Sequence, residues 1–426
     1  MIEKVTRVNK IQAEIIVPGD KSISHRAALF NSISLGSSKI TNFCVGDDKS
    51  AILNCLYGLG ANITETNDAI IIEGNGLNGL KEPKDVLNAG NSGTTIRLIS
   101  GLLSGNDFYS VITGDKSLRS RPMKRIVTPL SKMGAKILGR EQNSLAPLAF
   151  NGGNLEGIEY EMPVSSAQLK SCLLIAGLYA SGKTIVHQPG ASRDHTERIL
   201  KSMGAKIEIN GLTVQIQRSM LTSLDMNIPS DTSNSTFWLV AGCCHPDASI
   251  TLRNVGMNPT RTGMLEILGY MGATINISNE RFEGGEPVAD INVESSDLKG
   301  VEISGEIIPR VIDELPVLAL AACFAKGETI IKDSEELRVK ESDRISATVN
   351  SLSKLGAKIE ETNDGMIITG GTPLIGSEVD SFGDHRIAMT NGIAGLIAKG
   401  ETTVINSESA NISYPTFWET LKSLGD

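Results

Sequence analysis

The sequence predicts an α/β protein of two domains. Each is an inside-out α/β barrel of three βαβαββ units, with helices buried at the centre and sheets on the outside. Three observations predict it. First, one phrase recurs with a period of about 70 residues: Leu59-Gly60-Ala61, Met133-Gly134-Ala135, Met203-Gly204-Ala205, Met271-Gly272-Ala273 and Leu355-Gly356-Ala357, with Leu424-Gly425 beginning a sixth. Second, an amphipathic helix precedes each phrase, and further upstream lies a more apolar helix, at 22–34, 92–103, 166–179, 233–243, 313–324 and 384–397. Helices without a polar face belong inside. Third, a short alternating strand separates the two helices of every unit: Lys39-Ile40-Thr41, Ser110-Val111-Ile112, Thr184-Ile185-Val186, Ser249-Ile250-Thr251-Leu252, Thr329-Ile330-Ile331 and Thr403-Val404-Ile405. Repeats of this kind need at least about three copies to bury a shared core.

Taken in order, each unit reads strand, polar turn, buried helix, strand, amphipathic helix, hairpin. The glycine of each phrase falls just past a helix, where the left-handed backbone disfavours a Cβ. The hairpin follows at once, as at 135–137 and 205–209. Several buried helices are entered from an extended segment carrying Pro or Gly: IIVPGDKS, YEMPVSSAQ, MNIPSDTS and FGDHR. The sixth unit ends after its amphipathic helix, at 414–424, and lacks a closing hairpin. Residues 5–17 alternate like a hairpin with no helix before them, so they are expected to complete the sixth unit. The domains are therefore 20–229, and 1–19 with 230–426. Hinge crossings are expected near 19–20 and 229–230, with an open–closed motion about them.

Composition bounds the function. The chain has 426 residues, 40% of them hydrophobic and 21% charged, within the ordinary globular range. A net charge of −9 gives no electrostatic footprint for nucleic acid, and 4% aromatics leaves no base-stacking platform. Any anion site must be a local basic pocket. The six cysteines lack metal-type spacing and read as reduced core thiols. The N-terminus has no apolar signal region and no apolar run is long enough to span a bilayer, so a cytoplasmic location is expected.

The polar side chains with chemical potential collect in the turns that open helices. At 18–30, PGDKSISHRAALF, a glycine turn runs straight into an apolar helix. Its unpaired N–H groups and macrodipole favour an anion. Lys21, Ser22 and Arg26 add a point charge, a hydroxyl and a guanidinium fork. The stretch 89–97, AGNSGTTIR, places Asn91, Gly93 and Arg97 at the second buried helix, without Walker or Rossmann glycine spacing. Ser165, Ser166 and Gln168 open the third, with Lys170 close behind. Asp313-Glu314 opens the fifth, and Asp384-His385-Arg386 the sixth. The loops before the amphipathic helices add Arg119 and Arg121, Arg193 with Asp194 and His195, and LRVKESDR at 337–344. Lys340 and Arg344, four apart, would repel by about 0.2–0.5 kcal/mol on a bare helix. An anion between them reverses that cost. With Asp313 and Glu341 as the nearby acids, the set describes a pocket for a multiply anionic substrate with carboxylates left for proton transfer. The five histidines are scattered over four units, so no metal or organic cofactor is implied.

In order and over the whole length, PGDKSISHR, GNSGTTIR, SRPM, SSAQLK, SRDHTE, DELPVLALAA, LRVKESDR and GDHRIAM resemble the motifs of the EPSP synthase (3-phosphoshikimate 1-carboxyvinyltransferase) family. The resemblance implies two domains of three βαβαββ units each. It implies transfer of the enolpyruvyl group of phosphoenolpyruvate to the 5-hydroxyl of shikimate 3-phosphate, by addition and elimination with release of phosphate, on the pathway to chorismate and the aromatic amino acids. It also implies site residues: Asp313, Glu341 and Lys21 for proton transfer; Lys21, Ser22, Arg26, Ser165, Ser166, Gln168, Arg193, Asp313 and Lys340 for shikimate 3-phosphate; Lys21, Asn91, Gly93, Arg121, Gln168, Arg344 and Arg386 for phosphoenolpyruvate. No metal or cofactor is implied, and a monomer is expected. Glyphosate is the implied inhibitor. The GDKS, SAQLK, RDHTE and NPTR segments resemble the glyphosate-tolerant bacterial subgroup, for which inhibition is weak. Leu98, Glu336 and Ile412 depart from the better-known enteric pattern, where Pro, Asn and Lys are common. The rival within the superfamily, UDP-N-acetylglucosamine enolpyruvyl transferase, carries a loop cysteine, and 114–122 here has none. A non-catalytic anion-binding protein would need the helix ends but not Asp313, Lys340 and Glu341.

Overall fold

The computed structural model describes residues 1–425. The chain divides into two compact units. One comprises Gly19–Ile228 together with Phe282–Glu286. The other comprises Met1–Pro18, Pro229–Arg281 and the chain from Pro287 onward. Each has its own apolar core.

In the first unit the buried helices are Lys21–Ser32, Gly93–Gly105 and Ala167–Gly177. In the second they are Thr232–Cys244, Leu315–Phe324 and His385–Ile397. Nearly every residue along them is inaccessible to solvent, as expected for helices apolar on all faces. The second and third pack closely: a Cβ on Gly101 would sit 2.4 Å from the carbonyl oxygen of Cys172, so no larger residue fits there. Five of the six helices start on a side-chain cap, from Asp20, Ser92, Ser166, Asp231 and Asp384. Such caps satisfy backbone N–H groups that would otherwise be stranded.

Six sheets flank these helices; five share one four-stranded plan, and the sixth has three strands. A short strand runs parallel to the strand that leaves the buried helix, and an antiparallel hairpin extends the sheet on its other side. In the second repeat Leu87–Asn88 pairs with Tyr109–Thr113, which pairs with Leu145–Asn151 and then Lys136–Gly139. The amphipathic helices, such as Lys124–Lys132 and Arg344–Lys354, bury one side only. The glycines at the centre of the repeated phrase, at 60, 134, 204, 272 and 356, all have positive φ.

The N-terminal segment differs from the expected hairpin. Ile2–Thr6 pairs antiparallel with Glu401–Ile405, extending the sixth repeat's sheet, whereas Ile11–Ile15 runs parallel to Ala248–Gly256 in the fourth. Met226–Asn227 plays the corresponding part for the first repeat, parallel to Leu35–Thr41. Each unit thus takes its remaining strand from a segment distant in sequence. Alternation marks a strand but does not choose its partner.

Candidate active site

In the first unit, the chemistry gathers at the N-terminal ends of the three buried helices. Asp20 caps the first, accepting from the Ile23 N–H at 2.8 Å. This leaves Lys21 at the helix start, its Nζ 3.2 Å from Asp48 Oδ2. Burial would raise the Asp48 pKa, but Lys21 and then His25 more than offset it, so the carboxyl lies below its ordinary value. His25 is fully enclosed: Nδ1 lies 2.8 Å from the Lys21 carbonyl and Nε2 3.0 Å from Thr95 Oγ1. Burial lowers its pKa to about 4, so the ring is neutral at physiological pH. Arg26 donates to Thr196 Oγ1 at 2.7 Å, Ser171 Oγ at 2.8 Å and the Ser22 carbonyl at 2.8 Å. Two of these bonds tie other helices to the first, and the third stays within Arg26's own helix.

At the second helix, Arg121 donates to Asn91 Oδ1 at 2.6 Å, and Asn91 in turn donates to Asp115 Oδ2 at 2.6 Å. Arg97 donates to Gln168 Oε1, and Gln168 Nε2 to Thr94 Oγ1 at 3.1 Å. A Cβ on Gly93 would lie 3.0 Å from the Arg97 guanidinium and 3.4 Å from that of Arg121. The glycine therefore lets two cations approach the same backbone. Ser166 caps the third helix on the Leu169 N–H at 3.3 Å. Ser165 lies against Gly190, whose added Cβ would meet Ser165 Oγ at 2.9 Å, bringing the serine turn beside the loop that carries Arg193.

In the second unit, Arg344 is the centre. It is 2% exposed and reaches three carboxylates: Asp384 Oδ2 at 2.8 Å, Glu341 Oε2 at 2.6 Å and Asp313 Oδ1 at 3.2 Å. Burial works against its charge, but Asp384, Glu341 and Asp313 outweigh that and hold its pKa above the ordinary value. Asp384 serves twice, since it also caps its own helix through the Arg386 N–H at 2.9 Å. Burial would raise its pKa, yet Arg344 and His385 keep it low. Lys340 Nζ lies 3.8 Å from the same Asp313 oxygen and 3.3 Å from Glu336. The carboxylate that relieves repulsion between Lys340 and Arg344 is thus the chain's own Asp313. Arg386 Nη1 is 3.8 Å from Glu314 Oε1, and Glu314 accepts from Ser233, to which Arg261 donates at 2.6 Å.

Two expectations change. Asp313 does not open the fifth helix: it sits in the turn before Leu315–Phe324, with Glu314 at the capping position and making no side-chain cap bond. The acids near the cations are also more numerous than Asp313 and Glu341 alone. Asp48, Glu197, Glu314 and Asp384 each face a basic group, Glu197 pairing with Lys170 at 2.6 Å. Sequence spacing could not reveal these pairs, because their partners lie on other elements. The only signal was each acid's place beside a helix start. No cluster of His, Cys, Asp and Glu suited to a metal ion occurs among the described residues, nor any helix long and apolar enough to cross a membrane. All six cysteines are free thiols.

Comparison with known proteins sets this geometry in a family. The family model for EPSP synthase (3-phosphoshikimate 1-carboxyvinyltransferase) matches residues 5–421. A 3-phosphoshikimate 1-carboxyvinyltransferase from Bacillus cereus is 50% identical over 417 residues, covering 98% of this chain and 97% of the relative. One from a Roseiflexus species is 49% identical over 431 residues, covering the whole of both. An EPSP synthase structure from Acinetobacter baumannii superposes with a TM-score of 0.91 at 41% identity, covering 100% of this chain and 98% of that one.

Proposed function

The chain belongs to the EPSP synthase family, and from that premise we propose that it transfers the enolpyruvyl group of phosphoenolpyruvate to the 5-hydroxyl of shikimate 3-phosphate. The reaction lies on the shikimate pathway to chorismate and the aromatic amino acids. In the addition step the 5-oxygen bonds to C2 of phosphoenolpyruvate, its proton leaves, and C3 gains a proton. In the elimination step C3 loses a proton and phosphate departs. The site therefore needs a base at the hydroxyl and an acid at the methylene together.

Asp313 is the proposed base. The observation that carries this assignment is its place between two cations, 3.2 Å from Arg344 and 3.8 Å from Lys340. The neighbouring guanidinium and ammonium fix the carboxylate without burying it. Lys21 and Glu341 are the proposed proton carriers at C3. Ser22, Arg26, Ser165, Ser166, Gln168, Arg193 and Lys340 are proposed to hold shikimate 3-phosphate with Lys21 and Asp313. Asn91, Gly93, Arg121, Arg344 and Arg386 are proposed to hold phosphoenolpyruvate with Lys21 and Gln168. Guanidinium forks suit carboxylate and phosphate groups because they present paired donors.

The test is release of phosphate from phosphoenolpyruvate, measured with shikimate 3-phosphate or with UDP-N-acetylglucosamine as acceptor. Turnover with the first alone supports the reading. Turnover with the second, or with neither, refutes it. We also propose membership of the glyphosate-tolerant subgroup, supported by the GDKS, SAQLK, RDHTE and NPTR segments. A glyphosate titration at saturating shikimate 3-phosphate checks this, and tight inhibition competitive with phosphoenolpyruvate would exclude it. A cytoplasmic monomer completes the proposal. Light scattering at working concentration and fractionation of the producing cell are the measurements.

A further inference from the structure

The third buried helix carries a group that the reaction does not use. Lys170 projects from Ala167–Gly177 into the interior, 1% exposed, and meets Glu197 Oε1 at 2.6 Å, itself 2% exposed. Glu197 lies in the first turn of the helix His195–Ser202. Interior ion pairs return little stability, since desolvating both charges consumes most of their attraction and apolar residues of similar volume often do as well. This pair is also incompletely satisfied. Among the described residues Glu197 Oε2 has no hydrogen-bond partner, and the further bond from Lys170 Nζ is a long one, 3.4 Å to the Ser192 carbonyl. Stability alone gives no reason for a lysine and a glutamate here.

Their surroundings give another. Ser165 and Ser166 immediately precede the helix of Lys170, and Arg193 lies just before Asp194, the capping residue of the helix of Glu197. The ion pair therefore joins the starts of two helices whose leading turns carry the proposed phosphate ligands. The Ser192 contact extends that tie to the residue before Arg193. A second tie runs alongside it: Ser171 and Thr196 hydrogen-bond at 2.7 Å, and both accept from Arg26. Burial pulls the Arg26 pKa to about 10, with Glu197 the largest opposing influence and Asp20 and Glu286 adding to it.

We propose that Lys170 and Glu197 are positioning residues for the shikimate 3-phosphate site, a buried ion pair that sets the spacing between the Ser165–Ser166 turn and the Arg193 loop. Neither residue touches the reacting atoms. The inference rests on the assignment of shikimate 3-phosphate given above, and the experiment separates the two. If the parent enzyme fails to consume shikimate 3-phosphate with phosphoenolpyruvate, it is the functional assignment that falls.

With an active parent, two full-length variants are compared with it: Glu197→Gln, which removes one charge at constant shape, and the double variant Lys170→Met with Glu197→Leu, which replaces the pair by apolar volume. Melting temperature, calorimetric affinity for shikimate 3-phosphate, and KM for each substrate at saturating partner are measured. The double variant is expected to melt at or above the parent, yet to bind shikimate 3-phosphate at least tenfold more weakly. Its KM for phosphoenolpyruvate should stay within twofold and its kcat within threefold. Glu197→Gln should show the same selective loss. The inference is overturned if the double variant folds and binds shikimate 3-phosphate like the parent, or if both KM values rise together. It is equally overturned if neither variant folds, since the pair is then a folding element.

Discussion

Replacing Asp313 by Asn separates a proton acceptor from a structural acid. Asp313 Oδ1 accepts from Arg344 Nη1 at 3.2 Å and lies 3.8 Å from Lys340 Nζ, in a turn outside the following helix. An Asn can keep an oxygen in that place and so preserve the Arg344 hydrogen bond. Arg344 also retains Asp384 and Glu341. Of the roughly 1.5–3 kcal/mol that a charge-assisted hydrogen bond contributes, most should survive. A loss of about 1 kcal/mol lowers the melting temperature by about 2–4 °C in a domain of some 200 residues. Capping is not at stake, because the capping position of that helix belongs to Glu314. Catalysis should suffer far more. An amide cannot take the hydroxyl proton, and a positioned general base contributes about 10²–10⁴-fold. The assay is steady-state phosphate release, with calorimetric binding of shikimate 3-phosphate and a thermal melt on the same preparation. Turnover within threefold of the parent in a folded variant would refute the assignment and pass the role to Glu341. A collapse of melting temperature together with activity would make the acid structural.

Three further outcomes are expected. Lys21→Met should leave the melt near that of the parent while lowering turnover by at least about 10²-fold, on the scale of one preorganised charge-stabilising donor; a folded variant with near-parental turnover removes Lys21 from the mechanism. Glu314→Gln keeps a partner for Ser233 but removes the carboxylate 3.8 Å from Arg386, so KM for phosphoenolpyruvate should rise about tenfold, in keeping with the strength of charge-assisted contacts; an unchanged KM with a lower melting temperature counts against it. Acid should loosen the fold early, because burial lowers both His25 and His385 to about 4. Unfolding lets each take up a proton at its ordinary value near 6.5, so their contribution is whole above pH 6.5 and is lost as pH falls toward 4, by roughly 1–3 kcal/mol each at the lower limit. Denaturant midpoints from pH 7.5 to 4.5 follow this directly, and a flat profile for the parent would disprove it.

The sequence by itself determined the repeating plan and the kinds of side chain offered at each turn. An apolar run of helical length has to be buried wherever the chain goes, and a glycine after a helix has one favoured conformation, so buried helices and repeat boundaries are local properties. The six buried helices lie where the apolar runs place them, within about two residues at most ends. The fifth starts later than expected, at Leu315, because Pro316 fits a first turn and Asp313 turns instead toward Arg344. Partner choice belonged to the tertiary structure alone. Alternation at 5–17 announced strands, but only the assembled sheets sent Ile2–Thr6 to the sixth repeat and Ile11–Ile15 to the fourth. The same holds for charge. Lys21, Lys170, Arg344 and Arg386 were visible as cations, whereas the carboxylates that hold them, Asp48, Glu197, Asp384 and Glu314, come from elements distant in sequence. An ion pair is a matter of distance through space, and the chain order contains that distance only after the helices have packed.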